Sequence, residues 1–183
     1  MVYVFLADGF EEIEALACVD ILRRAKVEVS TVSVNGTSTV TGSHNIEVKA
    51  DITTDDVNLA NIECAVYPGG MPGAETLSTG KNDVPKIVAI YCAENDVLVG
   101  AICAAPLVLG RLSLLNGKKA TCYPGFESEL KGAVTTGERV TIDGNIVTGR
   151  GPGCSVDFAL ALVAKLKDES VALEIRKAMQ CDD

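Results

Sequence analysis

The chain has one histidine, no Cys-x-x-Cys pair, no excess of basic residues, and no apolar run of the roughly 20 residues a membrane span needs. With 16 basic against 25 acidic side chains, the net charge of −9 leaves no electrostatic footprint for nucleic acid or an anionic membrane. An acidic surface mainly serves solubility. The N-terminus, "MVYVFLADGFEEIEA", lacks a basic stretch, and its apolar part is too short for a signal peptide. It reads as the first strand of a cytoplasmic protein. Seven cysteines (Cys18, Cys64, Cys92, Cys103, Cys122, Cys154, Cys181) are an odd number without metal-ligand spacing. Neither a zinc site nor a disulfide framework is supported. Free thiols in a reducing compartment fit better, most of them packing as small core hydrophobes. The lone histidine, His44, falls in a hairpin and reads as a surface residue.

What the chain does have is core. Of its 183 residues, 48% are apolar and spread along the whole length, which predicts one globular domain spanning 1–183. "VYVFLA", "EVSTVSV", "ECAVYPGG", "VLVGAIC" and "KKATCY" read as strands. "EEIEALACVDILRRA", "NDVPKIVAIYCAEN", "APLVLGRLSLL", "SVDFALALVAKLK" and "ESVALEIRKAMQ" read as helices, with Ser155 the expected N-cap of the fourth. "TSTVTGSHNIEVKADIT" and "ERVTIDGNIVTGR" read as hairpins, the second around Asp143-Gly144. Strands alternating with helices predict an α/β fold with a mostly parallel central sheet covered on both faces. In such sheets, sites lie beyond the carboxyl ends of the strands.

Three strand ends carry candidate chemistry. In "VLVGAICAAPLVLG", Cys103 stands between small residues where strand turns into helix, with Pro106 opening the helix. This is the size pattern of a nucleophile elbow, with sulfur in place of the serine hydroxyl. The helix N-terminus would favour thiolate. The alternative is a cysteine chosen for size alone; strand, small neighbours and proline together favour the nucleophile. Glu14 falls on a helical wheel among Ala17, Cys18, Ile21 and Ala25, in the apolar stripe, while Glu12 and Arg23 point to solvent. A buried carboxyl is costly unless paired or protonated, and with a raised pKa it can shuttle protons. The alternative is a shifted helix register with Glu14 at the surface. "PGGMPGA" lets backbone N–H groups approach a ligand. "GRGPG" before the "CSVDF" segment sets Arg150 beside a helix start.

These segments in this order ("DGFEEIEALACVDILRRA", "VYPGGMPGAETL", "GAICAAPLVL", "GKKATCYP", "TGRGPGCSVDFALALV") resemble the ThiJ/PfpI superfamily, in its branch of DJ-one-like protein deglycases. The resemblance covers nearly the whole chain. It implies a flavodoxin-like three-layer sandwich, a nucleophilic, oxidation-prone Cys103, a partner carboxyl at Glu14, and oxyanion-binding N–H groups at Gly70 and Ala104. It implies no cofactor and no metal, and a homodimer formed through the first helix. Arg24 and His44 align with basic positions near the site, His44 from the partner subunit. Two family histidines are replaced: Ala104 follows the cysteine where the protease-like branch has its base, and Tyr123 stands where the glyoxalase-like branch often has one. The expected activity is cysteine-dependent conversion of methylglyoxal-type α-oxoaldehydes or of their protein adducts. The alternatives are a redox-responsive chaperone or sensor and, behind it, an amidase-like hydrolase.

Overall fold

The computed structural model describes residues 1–181. The strands are β1 (Val2–Leu6), β2 (Val29–Ser33), β3 (Thr39–Thr41), β4 (Glu47–Lys49), β5 (Ile52–Thr53), β6 (Cys64–Tyr67), β7 (Leu98–Ile102), β8 (Lys119–Ala120), β9 (Val134–Thr135), β10 (Val140–Asp143) and β11 (Ile146–Gly149). The helices are α1 (Glu12–Arg24), α2 (Gly73–Thr79), α3 (Val84–Glu94), α4 (Pro106–Arg111), α5 (Ser155–Leu166) and α6 (Glu169–Ala178).

Seven strands form one sheet in the order β10-β11-β7-β6-β1-β2-β5. All neighbours are parallel except β10 and β11, the hairpin through Asp143 and Gly144. Alternation along each strand sends side chains to two cores. From β1 and the residue that follows it, Val2, Val4 and Leu6 pack with α1, α5 and α6, while Tyr3, Phe5 and Ala7 pack with α2, α3 and α4. Phe5 stacks on Tyr67 at 5.3 Å, and the buried Tyr67 hydroxyl donates to the Pro85 carbonyl at 2.7 Å, fastening α3. The result is the helix-covered, mostly parallel sheet expected from the alternating pattern, arranged as the flavodoxin-like three-layer sandwich that the resemblance implies.

Local differences have local causes. The helix expected over "APLVLGRLSLL" stops at Arg111, because Ser113 turns left-handed (φ 62°) and Leu115 drops into the core. Arg111 is held there between Glu75 and Glu129. "KKATCY" contributes only β8, which pairs with β9 outside the main sheet. The helix α2 was not read from "PGGMPGAETL", where five glycines and prolines mask its seven residues. Ser155 is not an N-cap: a short 3-10 turn over Pro152–Cys154 precedes it, and its hydroxyl donates to the Pro152 carbonyl at 2.8 Å. Glu12 does not face solvent but is 4% exposed, because the turn between β3 and β4 folds over the first turn of α1.

Candidate active site

At the carboxyl end of β7 the backbone must reverse within one residue to enter α4. Cys103 makes that reversal in the left-handed region at φ 63°, a conformation that costs a non-glycine residue roughly 1–3 kcal/mol. Neighbouring strands hold it there. The Cys103 N–H donates to the Gly149 carbonyl of β11, and its own carbonyl accepts from the Tyr123 N–H, each at 2.8 Å. Buried Ala104 and Ala105 leave room for the bend.

Glu14 comes from the first turns of α1 and is fully buried. Its Oε2 accepts the Gly69 N–H at 2.7 Å, whereas Oε1 has no hydrogen-bond partner among the described residues. Gly69 lies between the two side chains: a Cβ there would lie 2.7 Å from the Cys103 Cβ and 2.8 Å from Glu14 Oε2. Gly70 follows at φ 84°, where a side chain would run into the Glu11 nitrogen and the Gly9 carbonyl. The Glu11 N–H donates to the Gly69 carbonyl at 2.9 Å. The loop before α1 and the loop after β6 are thus stitched together beside the sulfur.

Burial pushes the Glu14 carboxyl up from 4.5 to about 7, against the opposing pull of the Cys103 thiol and the Gly69 N–H. The charge of Glu11 adds a smaller push in the same direction. Burial also holds the Cys103 thiol above its ordinary range, reinforced by the charge and hydrogen bond of Glu14. The Gly70 and Ala104 N–H groups pull it down without prevailing. The expectation that the helix start would favour thiolate is therefore corrected, because burial and a neighbouring carboxylate outweigh two backbone dipoles. Thiol and carboxyl interact directly, so the protonation of each depends on the other.

The structure thus brings Cys103, Glu14, Gly70 and Ala104 together. Tyr123 joins them through its backbone; its ring packs against Gly151 and lines a cavity of about 360 Å³ with Pro124, Arg150 and Pro152. Its hydroxyl has no hydrogen bond among the described residues. Arg24 lies near the far end of α1, exposed and paired with Asp20 at 2.6 Å. Ten residues of helix, about 15 Å, separate it from Glu14 within one chain. His44 is exposed and hydrogen-bonded to Glu12 rather than to Glu14 or Cys103. Sequence reasoning missed the Gly69 N–H as the carboxyl's anchor and the Gly149 carbonyl as the elbow's anchor. The doubled glycine was the only signal for the first; strand pairing alone reveals the second.

A parallel α/β sandwich with a left-handed cysteine at a strand-to-helix elbow, and a buried carboxyl beside it, defines the class. The chain belongs to the DJ-1/PfpI family, whose profile matches residues 1–165. It is 38% identical over 178 residues to Protein DJ-1 homolog B of Arabidopsis thaliana, covering 97% of this chain but 40% of that one. The chain therefore spans less than half of that relative. Toxoplasma gondii DJ-1, solved in an oxidized form, superposes with a TM-score of 0.92 at 36% identity, covering 97% of this chain and 96% of that one. A DJ-1 superfamily protein from Salmonella typhimurium, solved as a cysteine-to-alanine mutant, superposes at 0.91 with 32% identity and the same coverages. Among the described residues no helix is long and apolar enough to cross a membrane.

Proposed function

We propose that the protein is a cofactor-independent, cysteine-dependent enzyme of the glyoxalase or deglycase type, acting on methylglyoxal-like α-oxoaldehydes or their early protein adducts. The observation that carries this reading is the buried Glu14 carboxyl, anchored by one oxygen and open on the other, beside a thiol on a strained elbow. Cys103 sulfur bonds to the aldehyde carbon, and the carbonyl electron pair moves to oxygen. That oxygen lies against the Gly70 and Ala104 N–H groups and takes the proton the pair holds. Glu14, now a carboxylate, removes the proton from the former aldehyde carbon to give an enediolate and returns it to the adjacent carbon, while the hydroxyl proton passes from the first oxygen to the second. The hemithioacetal thereby becomes a lactoyl thioester. Water cleaves the thioester, releasing lactate and restoring the thiol. The sequence is an internal oxidation and reduction of the substrate, so no external oxidant is needed. Tyr123 meets Cys103 through its backbone N–H and is given no proton-transfer role.

The test is lactate formation from methylglyoxal by wild type, Cys103→Ala and Glu14→Gln. Both variants are expected to lose activity, Glu14→Gln by roughly 10²–10⁴-fold, the usual share of general acid–base catalysis. Full activity in Cys103→Ala would remove the nucleophile from the mechanism.

One observation favours a second role for the same residues. The oxidized Toxoplasma gondii DJ-1 shares this fold, and a Cys103 sulfinate would find a protonated Glu14 and two N–H donors around it. Oxidation by peroxide through sulfenate to sulfinate would make Cys103 a redox sensor. An amidase-like reaction is disfavoured, since Ala104 supplies no imidazole to protonate a leaving amine. The homodimer is proposed to form through α1, where the large apolar side chains Ile13 and Leu16 are exposed.

A further inference from the structure

The "GRGPG" segment and the ring of Tyr123 border a cavity that the chemistry of Cys103 leaves unused. It measures about 360 Å³, and its lining includes Tyr123, Pro124, Arg139, Arg150, Pro152 and Gly153. That is the size of a small-ligand pocket, and a three-carbon aldehyde would leave most of it empty. Backbone contacts tie the cavity to the reactive thiol. Arg150 stands one residue beyond Gly149, which pairs with Ile102 and accepts the Cys103 N–H, so Arg150 and Cys103 leave neighbouring strand ends. Tyr123 joins the two: its N–H holds the Cys103 carbonyl, while its ring packs on Gly151 and forms one wall of the cavity. Gly153 keeps another wall open. A Cβ there would meet nothing within 4 Å, so packing does not require the missing side chain.

Charge narrows what the cavity would take. Its lining carries two guanidinium groups and no carboxylate, in a chain whose net charge is −9. Five of the six arginines are paired with a carboxylate at 2.6–3.0 Å. Arg139 is one of these, held by Asp157 and by the Gly153 carbonyl. Arg150 is the sixth, and its side chain has no hydrogen bond or ion pair among the described residues. Glu127 borders a smaller cavity of about 260 Å³ with it, but that carboxylate accepts the Gly125 N–H at 2.8 Å and makes no ion pair with Arg150. A planar guanidinium left open beside an aromatic ring and two prolines suits a carboxylate at the end of a short carbon chain. One open guanidinium balances one negative charge, whereas a phosphate dianion would leave charge over.

We propose that this cavity is a carboxylate subsite, and that the preferred substrate is an α-oxoaldehyde with a carboxylate at its far end, bound by Arg150 while Cys103 attacks the aldehyde. The assignment rests on the carbonyl chemistry of Cys103 and Glu14 proposed above and adds a substrate class to it. Atoms balance as they do there. One water is added, the aldehyde carbon becomes a carboxylate and the neighbouring ketone becomes an alcohol, with no external oxidant. The product is a dicarboxylate with a hydroxyl beside one end.

The probe is 4,5-dioxopentanoate, compared with its uncharged methyl ester and with methylglyoxal, the hydroxy-acid products being quantified by mass spectrometry. Wild type is expected to show a kcat/KM for the carboxylate roughly 10-fold or more above that for the ester, the worth of one charged, hydrogen-bonded pair. Arg150→Gln should bring that ratio close to one, through KM rather than kcat, and Arg150→Lys should restore part of it. An equal ratio in wild type and Arg150→Gln overturns the subsite and leaves the enzyme reading standing. Turnover of none of the three compounds removes the enzyme reading, and the substrate class with it. Binding then decides for the cavity alone: 2-hydroxyglutarate should shift the backbone amide NMR signals of Tyr123, Gly151 and Gly153 in wild type and not in Arg150→Gln. Absence of those shifts in wild type overturns the carboxylate subsite whatever the turnover.

Discussion

Replacing Glu14 by glutamine should remove one pH-dependent contribution to the protein's stability. In the unfolded chain this carboxyl ionises near 4.5; in the folded protein it keeps its proton to about 7. Between those values the unfolded state binds fewer protons than the folded state, so wild-type stability falls as pH rises and levels off above about 7. At about 1.4 kcal/mol per pH unit, the span amounts to about 3 kcal/mol that wild type loses and Glu14→Gln does not. Groups such as His44 and Glu12 titrate in both proteins and largely cancel in the difference. Urea unfolding of both proteins at pH 5 and pH 8.5 measures it. The glutamine variant should gain about 3 kcal/mol relative to wild type between the two conditions. A difference that stays constant to within about 0.5 kcal/mol would show that Glu14 is not held protonated, and the coupled pair with Cys103 would fall with it.

Gly69→Ala should destabilise the protein by about 1–3 kcal/mol and abolish methylglyoxal turnover, because its Cβ would enter the space between Cys103 and Glu14. Thermal melts with the lactate assay check this; wild-type values for both would mean that the two side chains are not packed around Gly69. Under limited peroxide, peptide mass spectrometry should find oxygen on Cys103 before Cys18, Cys92 or Cys181, since only Cys103 combines the elbow with backbone donors to its sulfur. Earlier modification of any of those three would assign the sensitive thiol elsewhere. Ile13→Glu should halve the mass seen by sedimentation equilibrium with little loss of stability, as Ile13 is 60% exposed in the single chain. An unchanged mass would take the dimer interface away from α1.

Some of the site is legible in sequence because the constraint is local. An elbow needs small neighbours, and the sizes of Ala101, Ala104 and Ala105 around Cys103 record that need. Glu14 is legible because a helix repeats with a fixed angle, so one charged residue in an apolar stripe stands out. Glu12 is not legible by the same wheel. What covers it is the turn from Gly42 to His44, some thirty residues away, and a wheel contains no information about a second segment. The thiol was misread for a related reason. Its helix start is visible in sequence, but the burial that outweighs it belongs to the assembled sandwich. The alternation of strands and helices identified the layers, whereas the separate β8–β9 pair and the short α4 depend on contacts made by the segment around Leu115 and Glu129.

The hydrogen bond from the Cys103 N–H to the Gly149 carbonyl has a consequence for how the protein acquires its function. The elbow lies on β7, its carboxyl partner on α1, and the acceptor that fixes the bend on β11, which also completes that side of the parallel array. Contacts so distant along the chain form late, after the entropy of closing long loops has been met. A partly folded chain could have α1, β1 and β6 in place and still carry an unremarkable, conformationally free thiol. On refolding from denaturant, helical signal should therefore return before the chemistry does. Catalytic recovery would act as a clock for the docking of β11 against β7.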